Sequence, residues 1–297
     1  MNGKNTSILL GAGRSGTTLL YKLLAAHPRV AYLSNYQARL PAWPRLAALH
    51  RLPTWLPTIK HTVWFEEDGN AYSSGRRPWY RAMVPTPREA ESVYEYCGFQ
   101  DRQFHVANAR QSLARYLETV RRASGASVVL TKRTANNRRI PQLARSLPQA
   151  RYIHLVRDGR AVTHSLMRVH WWKDHPLFWS GKSPGQMEVE GADPLELAAR
   201  NWVEEMSDIE ADLPALDPQQ VHEIRYEDLL RDPVGTLANL LGFLGLDEKF
   251  PPAFRALVET LNLKPREEAW MTRWTEAEKA RVLAIQEPTL RRWGYLP

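Results

Sequence analysis

The sequence predicts an α/β fold in three layers, a parallel sheet flanked by helices on both faces. Two observations carry this reading. Short apolar runs alternate with helical patterns over most of the chain, and a glycine-punctuated turn joins the first run to the first helix. The segments best suited to bind ligands also fall just after apolar runs, where sheets of this kind gather their sites.

Ser7 to Leu10 is a short apolar run that reads as a buried strand, followed by the turn Gly11-Ala12-Gly13-Arg14-Ser15-Gly16. From Thr17 the residues Leu19, Leu20, Leu23 and Leu24 share one helical face, and His27-Pro28 stops that helix. Val30–Leu33 reads as a second strand. Helical pattern returns over Asn108–Arg122, then a strand over Ser127–Thr131 and a helix over Arg138–Leu147. Arg151–Val156 is a further strand, and Asp158 caps a helix running towards Val169. Asp193-Pro194 opens a long helix to about Asp212, and Val221–Tyr226 is the last strand. Helices over Val234–Leu244, Phe250–Leu261 and Thr275–Leu290 complete the chain. Two stretches, about 36–105 and 171–191, have scattered Pro, Trp and charge with weak periodicity; the first reads as short helices and loops forming a lid or substrate wall, the second as irregular.

The chain has 297 residues, 43% apolar and 24% charged, which suits one large α/β domain and excludes disordered and fibrous classes. A single cysteine, Cys97, excludes an intrachain disulfide framework and a cysteine-rich zinc site. It suits a reducing compartment. No apolar run approaches the ~20 residues of a membrane span. The Ile8–Leu10 stretch is too short for the core of a secretory signal. The expectation is therefore a soluble, cytoplasmic protein. Nine lysines and 31 arginines give a formal charge of +8. The bias matters, because the planar guanidinium fork matches phosphate and sulfate oxygens.

The turn after the first strand has the physics of an anion cradle. Strand, tight loop and helix aim several backbone N–H groups at one spot, and the helix N-terminus adds partial positive charge. Gly11 and Gly16 have the spacing of a nucleotide P-loop, but Thr17 stands where such loops carry lysine, and the cation lies inside the loop at Arg14. Gly13, Ser15, Thr17 and Thr18 complete the cradle with backbone and hydroxyl donors. A second candidate follows the strand Arg151–Val156: Arg157 sits at its end, and Ser165 lies two helical turns further on. Arg157 and Ser165 are placed to share one phosphate.

Taken together, Gly-Ala-Gly-Arg-Ser-Gly-Thr-Thr-Leu-Leu near the start and Val-Arg-Asp-Gly-Arg-Ala-Val with Ser165 beyond resemble the sulfotransferases that use 3′-phosphoadenosine 5′-phosphosulfate. The match looks closest to the bacterial and tyrosylprotein-type branch, with arginine where the cytosolic branch has lysine. Ile224-Arg225-Tyr226-Glu227-Asp228-Leu229 and the ending Trp293-Gly294-Tyr295 are similar to family segments too. The resemblance implies the P-loop nucleotide-kinase-like sulfotransferase fold in a single domain over 1–297, with 36–105 and 171–191 on the acceptor side. It implies transfer of a sulfuryl group to an acceptor hydroxyl, with adenosine 3′,5′-bisphosphate as product.

The same resemblance assigns roles. The loop from Gly13 to Thr18 would grip the 5′-phosphosulfate, Arg157 and Ser165 the 3′-phosphate, and Tyr226 would lie near the adenine. Arg168 is a looser candidate for the same phosphate. Lys132, in Thr131-Lys132-Arg133-Thr134 after a strand, would steady the bridging oxygen as the sulfuryl group leaves. With Arg14 and Lys132 supplying charge, no metal is expected. The base departs from the family pattern: Ser34-Asn35-Tyr36 stands where tyrosylprotein-type relatives carry a glutamate, and Thr134 where the cytosolic branch carries a histidine. Glu67 is our choice from the acidic cluster Glu66-Glu67-Asp68, ahead of His61, His105 and His170.

Seven of the eleven tryptophans, Trp43, Trp55, Trp64, Trp79, Trp171, Trp172 and Trp179, lie in or beside the irregular stretches. They suit a small-molecule or glycan acceptor presenting a carbohydrate, phenol or lipid-like face, or equally the anchoring of loops. Arg76-Arg77 and Arg138-Arg139 offer charge for an acidic acceptor. Two rivals remain: a P-loop kinase or NTPase, which Thr17 disfavours, and a basic nucleic-acid-binding protein, for which no binding motif accompanies the charge. No nucleic-acid partner is expected.

Overall fold

Strand β1 (Thr6–Leu10) is buried at all five positions, which requires a covered sheet on both sides. The computed structural model describes residues 3–51, 63–65, 83–100, 103–104, 112–246, 250–261, 263 and 269–297. After β1 come α1 (Thr17–Ala26), β2 (Val30–Tyr32), α2 (Asn35–Arg39) and a 3-10 segment over Pro44–Arg51. Then follow α3 (Glu91–Tyr96), the two-residue strands β3 (Phe99–Gln100) and β4 (Gln103–Phe104), α4 (Leu113–Ser124) and β5 (Val128–Lys132). A 3-10 turn (Thr134–Arg138) leads to α5 (Ile140–Ser146), β6 (Arg151–Val156), α6 (Gly159–Leu166), α7 (Pro184–Val189) and α8 (Pro194–Asp212). The chain closes with β7 (Val221–Arg225), α9 (Tyr226–Arg231), α10 (Pro233–Phe243), α11 (Pro252–Thr260), α12 (Ala269–Arg273) and α13 (Glu276–Arg292).

The main sheet is wholly parallel, in the order β2-β5-β1-β6-β7. Alternation along β1 sends Leu9 to one face and Ile8 and Leu10 to the other. On the first face Leu9, Leu130 and Ile153 meet α1, α10 and α11 through Leu20, Leu237 and Phe254. On the second, Ile8, Leu10 and Tyr152 meet α3, α4 and α5 through Tyr94, Leu117 and Leu143. The register sets Leu9 beside Lys132 and Ile153, so the segments leaving β1, β5 and β6 emerge side by side. That edge carries the glycine loop, Lys132 and Arg157.

Beyond the edge, α6, α8 and α13 pack together. The buried Gln286 amide donates to the carbonyls of Gly159 and Ala199 and to the Thr163 hydroxyl, tying the three helices. Asp193 caps α8 by accepting from the N–H groups of Leu195 and Glu196, with Pro194 at its first turn. The Asp158 side chain accepts from Arg160 N–H at the start of α6.

The expected strands and most expected helices are present, with shifts that have local causes. The helix expected over Asn108–Arg122 starts at Leu113, because Ser112 has extended backbone, and ends at Gly125 with φ +77°. The helix expected over Arg138–Leu147 is split, since Arg139 leaves helical geometry and Pro141 suits a first turn. The helix after Asp158 stops at Leu166, short of Val169. The first irregular stretch carries the short helices expected there, α2, α3 and the 3-10 segment, while the second adds α7 and a 3-10 turn. Among the described residues, no helix is long and apolar enough to cross a membrane.

Gly159 packs α6 directly against α8, since a Cβ there would lie 2.5 Å from the fully buried Trp202 ring. Gly159→Ala is expected to cost about 1–3 kcal/mol by overpacking, read as a lowered midpoint in urea unfolding.

Candidate active site

Two glycines are required by the shape of the loop. Gly11 has φ +148°, and a Cβ there would lie 2.6 Å from the Leu155 carbonyl oxygen. Gly16 has φ +87°, and a Cβ would lie 2.3 Å from the Tyr226 ring. Arg14 adopts φ +68° without being glycine, a strained conformation that folded proteins keep mostly at functional sites. Asn137 clamps the loop entrance: its Nδ2 donates to the Gly11 carbonyl at 3.1 Å, and its Oδ1 accepts from Gly11 N–H at 3.2 Å. Gly13 N–H donates to Glu205 Oε2 at 2.7 Å. Ser15 Oγ is buried and has no hydrogen-bond partner among the described residues.

The second cradle joins the first. Arg157 donates from Nη1 to the Arg14 carbonyl at 2.8 Å and lies over the Tyr226 ring at 4.4 Å. Arg14 Nε donates to Ser165 Oγ at 3.1 Å. Arg14, Arg157, Ser165 and Tyr226, dispersed over more than two hundred residues of chain, thus form one connected cluster (Arg168 is exposed on the turn after Ser165). Behind it, Asp158 N–H donates to Glu227 Oε1, Tyr295 Oη donates to Glu227 Oε2 at 2.8 Å, and Arg225 Nη2 donates to the Trp293 carbonyl at 2.7 Å. The Arg-Tyr-Glu-Asp segment and the Trp-Gly-Tyr ending are therefore one packed unit.

Lys132 is buried at the end of β5, and its ammonium pairs with Glu89. Asn35 explains how Glu89 arrives there. It exchanges two hydrogen bonds with the Thr86 backbone, at 2.9 and 3.1 Å, and so holds the 83–90 segment beside β2. Arg133 bridges Glu89 at 2.8 Å and Glu91 at 2.7 Å, and buried Arg139 donates to Glu91 at 2.5 Å. Burial alone would raise the Glu89 carboxyl, but the adjoining Lys132 and Arg133 charges win and hold it down at about 2.

These groups open onto a cavity of about 910 Å³. Gly13, Arg14, Lys132 and Glu205 line it, together with the aromatic residues Trp171, Trp172 and Phe178. Arg138 stacks over Phe178 at 4.1 Å, while its sequence neighbour Arg139 is taken up by Glu91, so that pair serves two different purposes.

Of the other sequence candidates, Glu67 lies outside the described residues, as do Glu66, Asp68, His61, His105, Arg76, Arg77, Trp55 and Trp79. His170 is exposed. Trp64 is a core residue whose indole donates to the Pro85 carbonyl, and Trp43 is 63% exposed. Four groups escaped the sequence reading: Asn137, Glu89, Asn201 and Glu205. Glu205 had a signal, since it shares a helical face with buried Trp202, Met206 and Ile209.

The features place the molecule among parallel-sheet α/β proteins with a glycine loop, a strand-end lysine and linked arginines at one sheet edge. The chain belongs to the sulfotransferase family, whose model matches residues 8–252. It is 26% identical over 256 residues to the omega-hydroxy-beta-dihydromenaquinone-9 sulfotransferase of Mycobacterium bovis, a match covering 81% of this chain. The chain spans 62% of that relative's length. Two solved structures share the fold. The sulfotransferase STF9 of Mycobacterium avium aligns with TM-score 0.53 at 16% identity, over 98% of this chain and 77% of the other. The sulfotransferase domain from the curacin biosynthetic pathway aligns with TM-score 0.50 at 16% identity, over 94% and 95%.

Glu89→Gln is expected to lower stability at neutral pH by about 1–2 kcal/mol, since it strips Lys132 and Arg133 of a partly buried partner. Because the folded carboxyl is depressed, that contribution is complete above the ordinary glutamate range and fades as pH falls towards about 2. Urea midpoints of wild type and variant should converge in acid, and a constant gap would contradict the assignment.

Proposed function

We propose that this chain is a sulfotransferase moving a sulfuryl group from 3′-phosphoadenosine 5′-phosphosulfate to the hydroxyl of a small-molecule or glycan acceptor. The observation carrying this is the connected cluster of Arg14, Arg157, Ser165 and Tyr226, two anion cradles separated in sequence and joined by hydrogen bonds. A kinase needs only the first cradle; a donor with phosphates at both ends of its ribose needs both.

The residues fit such a donor. Gly11 and Gly16 let the loop pack against Leu155, Thr17 and Tyr226 in a shape no Cβ would permit, buried Ser15 Oγ has no partner among the described residues, and Arg14 and Arg157 supply two guanidinium forks. When bound, the donor supplies a sulfuryl group already activated on a phosphate anhydride. The loop from Gly13 to Thr18 would hold its phosphosulfate, Arg157 and Ser165 its 3′-phosphate, and Tyr226, stacked beneath Arg157, would face the nucleoside.

The chain's own work is positioning and charge. Lys132 brings a buried ammonium to the strand end, where negative charge gathers on the departing phosphate oxygen, and Glu89 keeps that ammonium oriented until then. The cavity beside it would receive the acceptor, and its aromatic residues suit a phenol, a sugar face or a lipid-like body. No metal ligand is required by this scheme. In this reading residues 1–297 act as one sulfotransferase domain with its acceptor side over 36–105 and 171–191. A cytoplasmic setting suits Cys97, whose buried free thiol is pushed up to about 12 and is unreactive.

Adenosine 3′,5′-bisphosphate should raise the melting temperature more than ADP with magnesium does. Arg157→Ala should weaken the bisphosphate about tenfold to a hundredfold by calorimetry while leaving ADP nearly unaffected. Preference for ADP with magnesium in the wild type would favour a kinase. With labelled donor, Lys132→Ala should cut turnover by about a hundredfold or more while retaining bisphosphate binding.

A further inference from the structure

Sulfuryl transfer to a hydroxyl needs a group to take the hydroxyl proton, and the described carboxylates differ sharply in fitness for that task. Glu89 is neutralised by Lys132 and Arg133 and Glu91 by Arg133 and Arg139, while Glu95, also on the cavity lining, is exposed to solvent. Glu205 is different. It lies on α8 and lines the cavity that Gly13, Arg14 and Lys132 also line. It is only 7% exposed, and neither oxygen has a salt bridge to a cation among the described residues. Instead, Oε2 accepts from Gly13 N–H at 2.7 Å and Oε1 from Asn201 Nδ2 at 3.0 Å.

The orientation is set by a relay. Trp179 Nε1 donates to Asn201 Oδ1 at 3.2 Å, and an indole N–H can only donate. Asn201 must therefore turn its NH₂ towards Glu205, one helical turn further along. Each carboxylate oxygen keeps a lone pair for an incoming hydroxyl. We propose that Glu205, not Glu67, is the proton acceptor of this enzyme, and that Trp179 and Asn201 are its positioning residues. The proposal rests on the sulfotransferase reading given above.

The step balances simply. The acceptor O–H gives its proton to Glu205 as its oxygen bonds to sulfur. The bond from sulfur to the bridging oxygen breaks, and its electron pair stays on the phosphate beside Lys132. Glu205 then returns the proton to solvent. Burial raises the Glu205 carboxyl above the ordinary range, while the Gly13 and Asn201 hydrogen bonds and the positive charges of Arg138 and Lys132 offset it only in part. Arg14 and Glu89 also line this cavity and add charges of opposite sign. A carboxylate so tuned accepts protons better near neutrality than an ordinary one.

The test combines activity with a measurement that needs none. In wild type the Gly13 backbone amide resonance should titrate with a midpoint above the ordinary carboxylate range, and in Glu205→Gln it should stay flat; an invariant wild-type resonance, or a midpoint in the ordinary range, overturns the proposal. Glu205→Gln should bind adenosine 3′,5′-bisphosphate within about threefold of wild type. Turnover of labelled donor with un-ionised acceptors, namely 2-phenylethanol and water, should fall about a hundredfold. Transfer to 4-nitrophenolate, which has no proton to lose, should fall by about fivefold at most. Equal losses for both kinds of acceptor point to a structural role and overturn the proposal. So does an unaffected Glu205→Gln beside an inactive Glu67→Gln, or beside an inactive His175→Gln, since His175 lines the same cavity. Should Glu205→Gln not fold, Trp179→Phe serves instead, with kcat expected to fall for un-ionised acceptors and KM unchanged. If wild type fails to bind the bisphosphate, it is the donor reading that fails, whatever the Gly13 titration shows.

Discussion

The site depends on holding a six-residue loop in a conformation that its own sequence makes costly. Three side chains from distant parts of the chain fix it: Asn137 grips Gly11 by both backbone groups, Glu205 takes Gly13 N–H, and the Tyr226 ring closes over Gly16. Between these clamps Arg14 is forced to positive φ, and its carbonyl is then held by Arg157. A backbone fixed this way keeps its N–H groups pointed without reorganisation, which is the condition for electrostatic work on an anion. The parallel register makes it possible, because β1, β5 and β6 end together and deliver the loop, Lys132 with Asn137, and Arg157 to one edge.

The charge arrangement follows from the same crowding. Several cations gathered at one edge repel one another and lose solvation, so the fold interleaves carboxylates between them: Lys132, Glu89, Arg133, Glu91 and Arg139 form an alternating row. The net charge of +8 is thus a poor guide to what the cavity offers an acceptor. In this row Arg133 and Arg139 already answer carboxylates, and Trp171, Trp172 and Phe178 also line the cavity.

Much of this was legible in the sequence, because the signals were local. Gly11 and Gly16 announce a turn that side chains cannot fill, the apolar runs announce strands buried on both faces, and Arg157 follows a strand directly. Lys132 was legible for the same reason, as a charged residue ending an apolar run. Asn137 and Glu89 were not, since their roles depend on pairings across 126 and 43 residues that no local pattern encodes. The tryptophans show the limit of composition: Trp171 and Trp172 line the cavity, while Trp64 is core and Trp179 orients an amide on α8. Element ends shifted wherever a single residue decided them, as Ser112, Arg139 and Pro141 did.

Glu205 illustrates why a buried charge among apolar neighbours is informative. Between Trp202 and Ile209 a leucine would be the inexpensive choice, and a carboxyl placed there loses hydration that two neutral donors restore only in part. A purely structural need to answer Gly13 N–H would be met as well by an uncharged amide. What a carboxyl adds is a change of protonation state, and burial moves that change towards neutral pH, where enzymes work. The strained loop, the oriented amide of Asn201 and the cavity all converge on the same two oxygens. Convergence of independent constraints on one costly group is the pattern expected when the cost is retained for chemistry rather than for folding.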